Sequence, residues 1–122
     1  MARILVVDDS SLSRRILRRI LSSAGHEVLE ADSGLAALER YFLERPDLVL
    51  LDLIMADMNG LEVLNRLREM DSQARVIVAT ADIQDSSRAL AMASGAVGFL
   101  VKPFSEPEVL QTVHQALGKE EP

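Results

Sequence analysis

The chain has no cysteine and no tryptophan among its 122 residues. Absent cysteine excludes a disulfide scaffold, thiol catalysis and Cys-ligated metal, and suits a reducing compartment. Tyr41, Phe42, Phe99 and Phe104 are the only aromatic residues, so the core has to be built from Leu, Val, Ile and Ala. Positive charge is also short. Thirteen Lys and Arg face nineteen Asp and Glu, for a net charge of −6, the wrong sign for a chain that binds nucleic acid by itself. No long apolar run and no signal-peptide pattern occurs, so nothing points to a membrane or to export. The expectation is a single domain over residues 1–122, in the cytoplasm, with only Gly118–Pro122 as a frayed tail.

What is present is an alternation of short apolar runs with segments of helical period. Strands are expected at Arg3–Val7, Glu27–Ala31, Asp47–Leu51, Arg75–Thr80 and Val97–Val101. The first, third and fourth are apolar almost without interruption, as strands covered on both faces are. Leu12, Ile16 and Ile20, with Leu17, Leu21 and Ala24, form a stripe that ends at Gly25. Leu35, Leu38 and Phe42 form a second, which stops before Pro46. Leu61, Leu64 and Leu67 form a third; Val109, Val113, Ala116 and Leu117 form the last. Gln84–Ser94 is Ala-rich and only weakly amphipathic. Five strands each followed by a helix make a (βα)5 chain, which right-handed crossovers wind into a doubly wound parallel α/β sheet.

In such a sheet ligands bind beyond the carboxyl ends of the strands, so the residues at those ends carry the functional information. Strand one ends in Asp8-Asp9, strand three in Asp52, strand four in Thr80 and strand five in Lys102-Pro103. Two carboxylates ~5 Å apart repel by roughly 3 kcal/mol at an effective dielectric near 20. Three acids need more positive charge than one lysine supplies, and Lys102 is one of only two lysines in the chain. With no sulfur, and with His26 and His114 on distant elements, an all-oxygen site suits Mg²⁺ or Mn²⁺. Carboxylate, divalent cation, ammonium and hydroxyl together are the equipment of phosphoryl transfer, with Asp52 as nucleophile.

Four segments, "VVDDSS", "DLVLLDLIMADMNGLEVL", "VIVATAD" and "GAVGFLVKPF", cover most of the chain. Their order and placement at strand ends resemble the receiver domain of two-component response regulators, of the stand-alone chemotaxis CheY-like type. The resemblance implies a flavodoxin-like fold with strand order 2-1-3-4-5. It implies that Asp52 accepts phosphate from a sensor histidine kinase or phosphotransfer protein. Asp8, Asp9, Asp52 and the backbone carbonyl of Ile54 would then hold Mg²⁺, and Thr80 and Lys102 would grip the phosphoryl group. Thr80 and Phe99 fall at switch positions, coupled to an output protein on the face built from Gln84–Ser94, Val97–Val101 and Ser105–Leu117. A monomer, or a weak phosphorylation-dependent dimer, is expected. The only catalysis implied is of the chain's own phosphorylation and dephosphorylation.

The chain departs from the family pattern at four places. Ala56 stands where the family usually has Pro, Asn59 replaces a frequent Asp, Ile54 is apolar where many relatives are polar, and Phe99 lacks the hydroxyl of the common Tyr. Competing readings make weaker use of the residues. A phosphohydrolase with an aspartyl-phosphate intermediate resembles an Asp-x-Asp pattern, but Ile54 and Ser10 occupy the positions of the second acid. An FMN binder would bring its phosphate against "DDSS". A receiver excised from a longer regulator would look the same. Arg14, Arg15, Arg18 and Arg19 read as a solvated helix face, and Ser10 or Ser11 as the helix cap that leaves both acids available.

Overall fold

The computed structural model describes residues 1–118. Five strands, β1 (Arg3–Val7), β2 (Glu27–Ala31), β3 (Leu48–Leu51), β4 (Val76–Thr80) and β5 (Gly98–Val101), alternate with five helices, α1 (Ser11–Ser23), α2 (Gly34–Glu44), α3 (Gly60–Met70), α4 (Asp85–Ala93) and α5 (Glu106–Ala116). The strands form one parallel sheet in the order β2-β1-β3-β4-β5. The expected strands begin one residue early at β3, β4 and β5. The expected tail, Gly118–Pro122, lies outside the described residues except for Gly118, whose positive φ closes the turn after α5.

Alternate residues of each strand face opposite layers. Leu5, Val7, Val49, Leu51, Val76 and Val78 pack with Ala37 and Tyr41 of α2, Val63, Leu64 and Leu67 of α3, and Ala91 of α4. Ile4, Val6, Leu48, Leu50, Ile77, Ala79 and Leu100 pack with Leu17, Ile20 and Leu21 of α1 and Val109 and Val113 of α5. Both faces are therefore covered, which is why the central strands carry no polar alternation.

Two helix stripes differ from the expected ones. α2 buries Gly34, Ala37 and Tyr41, while Leu35 and Phe42 are exposed. The small residue at its start lets this helix lie close to the β3–α3 loop and α3: a Cβ built on Gly34 would come within 2.8 Å of Met58 Cβ and 2.9 Å of Val63 Cγ2. The Arg45 guanidinium lies over both aromatic rings of the helix, at 5.8 Å from the centre of the buried Tyr41 ring and 6.0 Å from that of the exposed Phe42. In α1 the buried face begins only at Leu17, and Leu12 is exposed.

Backbone hydrogen bonds fix the strand ends. Asp8 N donates to Ala31 O at 3.1 Å, Asp52 N to Val7 O at 3.0 Å and Lys102 N to Thr80 O at 2.9 Å. Asp8, Asp52 and Lys102, at the ends of β1, β3 and β5, are thus each held by the neighbouring strand. The sheet ladder, rather than loop packing, sets where these side chains begin.

Candidate phosphoryl-transfer site

Asp8 and Asp52 follow β1 and β3, which are neighbours in the sheet, and both are almost fully buried. Lys102, just past β5, reaches back across Thr80 to lie between them. Its Nζ is 2.7 Å from Asp8 Oδ2 and donates to Asp52 Oδ2 at 2.9 Å. Burial pulls the Lys102 pKa down, but the two carboxylates outweigh it, and the pKa is raised above that of an ordinary lysine. The ammonium is therefore held charged, with two anions sharing one cation.

The remaining oxygens of these acids are also engaged. Asp8 Oδ1 accepts from Ser10 N at 2.8 Å, and Asp52 Oδ1 accepts from Ile54 N at 3.1 Å. Both are Asx-type turns that hold a carboxylate against its own loop. Ser10 caps α1, its Oγ accepting from Ser13 N at 3.3 Å, so neither acid is spent as the helix cap. Asp9 is exposed and turns elsewhere. Its Oδ2 accepts from Ala56 N at 3.2 Å, tying the β1–α1 loop to the β3–α3 loop.

The structure thus brings Asp8, Asp52 and Lys102 together directly, and Asp9 through the loop that Asp52 begins. Among the described residues no three His, Cys, Asp or Glu side chains are gathered closely enough to enclose a metal. The donor chemistry nonetheless fits a hard cation: carboxylate oxygens from Asp8, Asp52 and Asp9, and net negative charge even with Lys102 in place. Ile54 turns its side chain outward, 61% exposed, and its N–H toward Asp52.

Thr80 is completely buried at the end of β4, with its Oγ1 accepting from Asp82 N at 3.2 Å. Asp82 lies two residues beyond Thr80, in the β4–α4 loop. Its carboxylate accepts from Gln84 N at 3.1 Å and from Ser87 Oγ at 2.6 Å, which secures the start of α4. Its pKa is lowered, chiefly by the Ser87 hydroxyl and then by the Gln84 N–H. Phe99 pairs with Val78 across the β4–β5 ladder and is half-buried against the core. The Arg88 guanidinium of α4 lies 5.3 Å from its ring centre.

Several supporting residues were not legible in the sequence. Gly60 begins α3 against the Asp52 loop, where an added Cβ would meet Leu53 Cα at 2.4 Å and Asp52 O at 2.5 Å. Its "NG" pairing with Asn59 was the only signal. Asp57 caps α2 from the β3–α3 loop, accepting from Gly34 N at 3.0 Å and Leu35 N at 3.2 Å. Arg14 leaves the expected solvated face, donating to Asp8 O at 2.6 Å and pairing with Glu30 at 3.0 Å, while Arg18 pairs with Glu30 at 2.6 Å. A groove of about 520 Å³ between α1 and α2 is lined by Arg14, Glu30, Asp32, Leu35 and Arg40 and includes none of Asp8, Asp9, Asp52, Thr80 and Lys102.

Residues 4–114 match the response regulator receiver domain family. The chain is 40% identical over 116 residues to the chemotaxis protein CheY of Bacillus subtilis, covering 94% of this chain and 97% of that one. It is 38% identical to the response regulator MprA of Mycobacterium leprae, but spans only 53% of that protein. Among solved structures, a CheX–CheY–BeF3–Mg²⁺ complex from Borrelia burgdorferi superposes with a TM-score of 0.90 at 33% identity, over 93% of this chain and 87% of that one.

Proposed function

Because the chain belongs to the response regulator receiver family, in its CheY-like form, we propose that Asp52 is its phosphoacceptor and that residues 1–122 act as one phosphorylation-switched unit. The observation that carries this reading is the Lys102 ammonium shared by Asp8 Oδ2 and Asp52 Oδ2. It puts a fixed positive charge where phosphoryl oxygens would arrive, beside a carboxylate that the β3 ladder aims out of the sheet.

In the reaction an Asp52 oxygen forms a bond to phosphorus as the N–P bond of a phosphohistidine breaks. The imidazole leaves with the bonding pair and takes up a proton from water. Lys102 then exchanges its hold on Asp52 for a phosphoryl oxygen, so that its charge follows the negative charge. The Thr80 hydroxyl can donate to a second phosphoryl oxygen while still accepting from Asp82 N–H. Asp8, Asp9, Asp52 and the Ile54 carbonyl would hold Mg²⁺, or Mn²⁺, which when bound neutralises the remaining phosphoryl charge.

The family is one of signalling domains, and the catalysis proposed here is confined to the chain's own phosphorylation and dephosphorylation. The donor is a sensor histidine kinase or phosphotransfer protein in the cytoplasm. Output passes through the face of α4, β5 and α5, where Ile83, Leu90, Met92 and Val97 are exposed. No helix among the described residues is long and apolar enough to cross a membrane. The reading is tested by incubating the protein with acetyl phosphate, with Mg²⁺ or with chelator, and measuring the intact mass. One added phosphoryl group that depends on the cation is expected, and Lys102→Ala should reduce its uptake. Cation-independent uptake, or uptake at several residues, would contradict the reading.

A further inference from the structure

Asp9 is the one acid of the three whose carboxylate lies outside the Lys102 pairing. Asp8 and Asp52 each have one oxygen on Lys102 and the other on a backbone N–H of their own loop. Asp9 Oδ2 instead crosses to the β3–α3 loop and accepts from Ala56 N at 3.2 Å. Side chain and loop are both exposed there, and this hydrogen bond holds the carboxylate in that orientation. We propose that the Ala56 backbone N–H is a positioning group that parks Asp9 away from Asp8 and Asp52, and so weakens the site's affinity for a divalent cation. The inference rests on the phosphoryl-transfer reading and deepens it.

The physical argument is a competition. A carboxylate that joins Asp8 and Asp52 around a cation turns its oxygens toward them. It then gives up, or lengthens, its bond to a donor on the far loop. Removing the donor removes the competing state, and the cation no longer has to displace a charge-assisted hydrogen bond. A proline at position 56 has no N–H and cannot make this bond. Glycine keeps it. The same loop grips the start of α2 through Asp57, whose carboxylate accepts from Gly34 N and Leu35 N. The loop that carries the Ala56 donor is thus anchored independently of Asp9, and can hold the acid rather than simply follow it.

The test is a titration of the full chain with MgCl₂ alone, without phosphodonor, followed by the amide NMR spectrum. Ala56→Pro should bind Mg²⁺ about fivefold more tightly than the unmodified chain, the effect of one exposed charge-assisted hydrogen bond. Ala56→Gly should stay within about twofold of it, because its donor remains. In the unmodified chain the Ala56 amide proton should move upfield as Mg²⁺ saturates, since it loses its acceptor. Should Ala56→Pro fail to fold, an ester in place of the Ala56 amide, introduced by ligation, removes only the N–H and should show the same gain. Unchanged affinity in the donor-less chain, or weaker binding, would overturn the proposal; weaker binding would mean that the bond orients Asp9 toward the cation. If the unmodified chain binds no Mg²⁺ and Asp8→Ala changes nothing in the spectrum's response, the phosphoryl-transfer reading falls with it.

Discussion

The guanidinium carbon of Arg88 lies 5.3 Å from the centre of the Phe99 ring, so a charge on α4 rests on the half-buried aromatic of β5. Phe99 has no hydroxyl with which to anchor itself at the surface. A cation over the ring face replaces that anchor through electrostatics, at about 0.5–1 kcal/mol for an exposed pair. Arg88 stands on the same helix whose start is secured by Asp82, and Asp82 N–H donates to Thr80. One connected path therefore runs from Thr80, at the end of β4, to the ring. On the proposed switch, in which the Phe99 ring exchanges between this position under Arg88 and one turned into the protein, Arg88→Ala should raise the inward population about two- to fivefold. Side-chain NMR shifts of a ring-labelled Phe99, compared with and without phosphorylation, report it. A ring whose shifts are the same in the variant would remove Arg88 from the switch.

Gly60 admits no side chain, because a Cβ there would meet the backbone of Asp52 and Leu53 at 2.4 to 2.5 Å. Gly60→Ala has to push that backbone away. The expected cost is about 1–3 kcal/mol of stability, typical of overpacking. The amides of Asp52 to Ile54 should shift most, and phosphoryl uptake should slow. A variant with unchanged melting temperature and unchanged amide shifts would show that the loop yields freely.

Tyr41 is the only tyrosine, and the chain has no tryptophan, so its ionisation can be followed cleanly by tyrosinate absorbance. Burial, and after it the hydrogen bond from its hydroxyl to Asp71 Oδ2 at 2.8 Å, push its pKa up to about 12. A raised folded pKa means that the native state binds the proton more tightly. The resulting stability is fully present below the unfolded value near 10 and is lost as pH rises through about 12. Lys102, also raised, adds to the loss in the alkaline range. The absorbance midpoint should fall to the ordinary value in denaturant, and Tyr41→Phe should flatten the alkaline part of the stability curve. A native midpoint at the ordinary value would contradict the buried hydrogen bond.

Ile54 presents an apolar side chain, 61% exposed, two residues beyond Asp52. It offers no atom that can orient a water for attack on an acyl phosphate. Ile54→Asn, which adds an amide that can position water, should speed loss of the phosphoryl group severalfold. Phosphate release followed after donor removal measures it, and an unchanged half-life would count against a role for this side chain.

The strands and their ends could be read from sequence because burial on both faces leaves little room for polar residues, so the charged ones mark the boundary. Asp8, Asp52, Thr80 and Lys102 all stand out in this way. Of the stripe expected in α2, Leu38 packs against the core but Leu35 and Phe42 do not, because hydrophobicity ranks them above the buried Gly34 and Ala37. Close approach of the helix start to Met58 of the β3–α3 loop and Val63 of α3, which favours a small residue, decided the matter instead. The donors that orient the acids, the N–H groups of Ser10, Ile54 and Ala56, are backbone atoms and have no letter in a sequence. The Arg14 and Arg18 pairs with Glu30 need the turn between α1 and β2 to be known before the two segments can be seen as neighbours.

The central claim is that Asp52 is the residue that takes the phosphoryl group. The most direct measurement is borohydride reduction of the phosphorylated chain followed by tandem mass spectrometry, which converts an aspartyl phosphate to homoserine and so marks its position. The account predicts homoserine at position 52 alone, formed only when Mg²⁺ was present, and none in Asp52→Ala. Homoserine at another aspartate in the unmodified chain, or full phosphoryl uptake by Asp52→Ala, would contradict it.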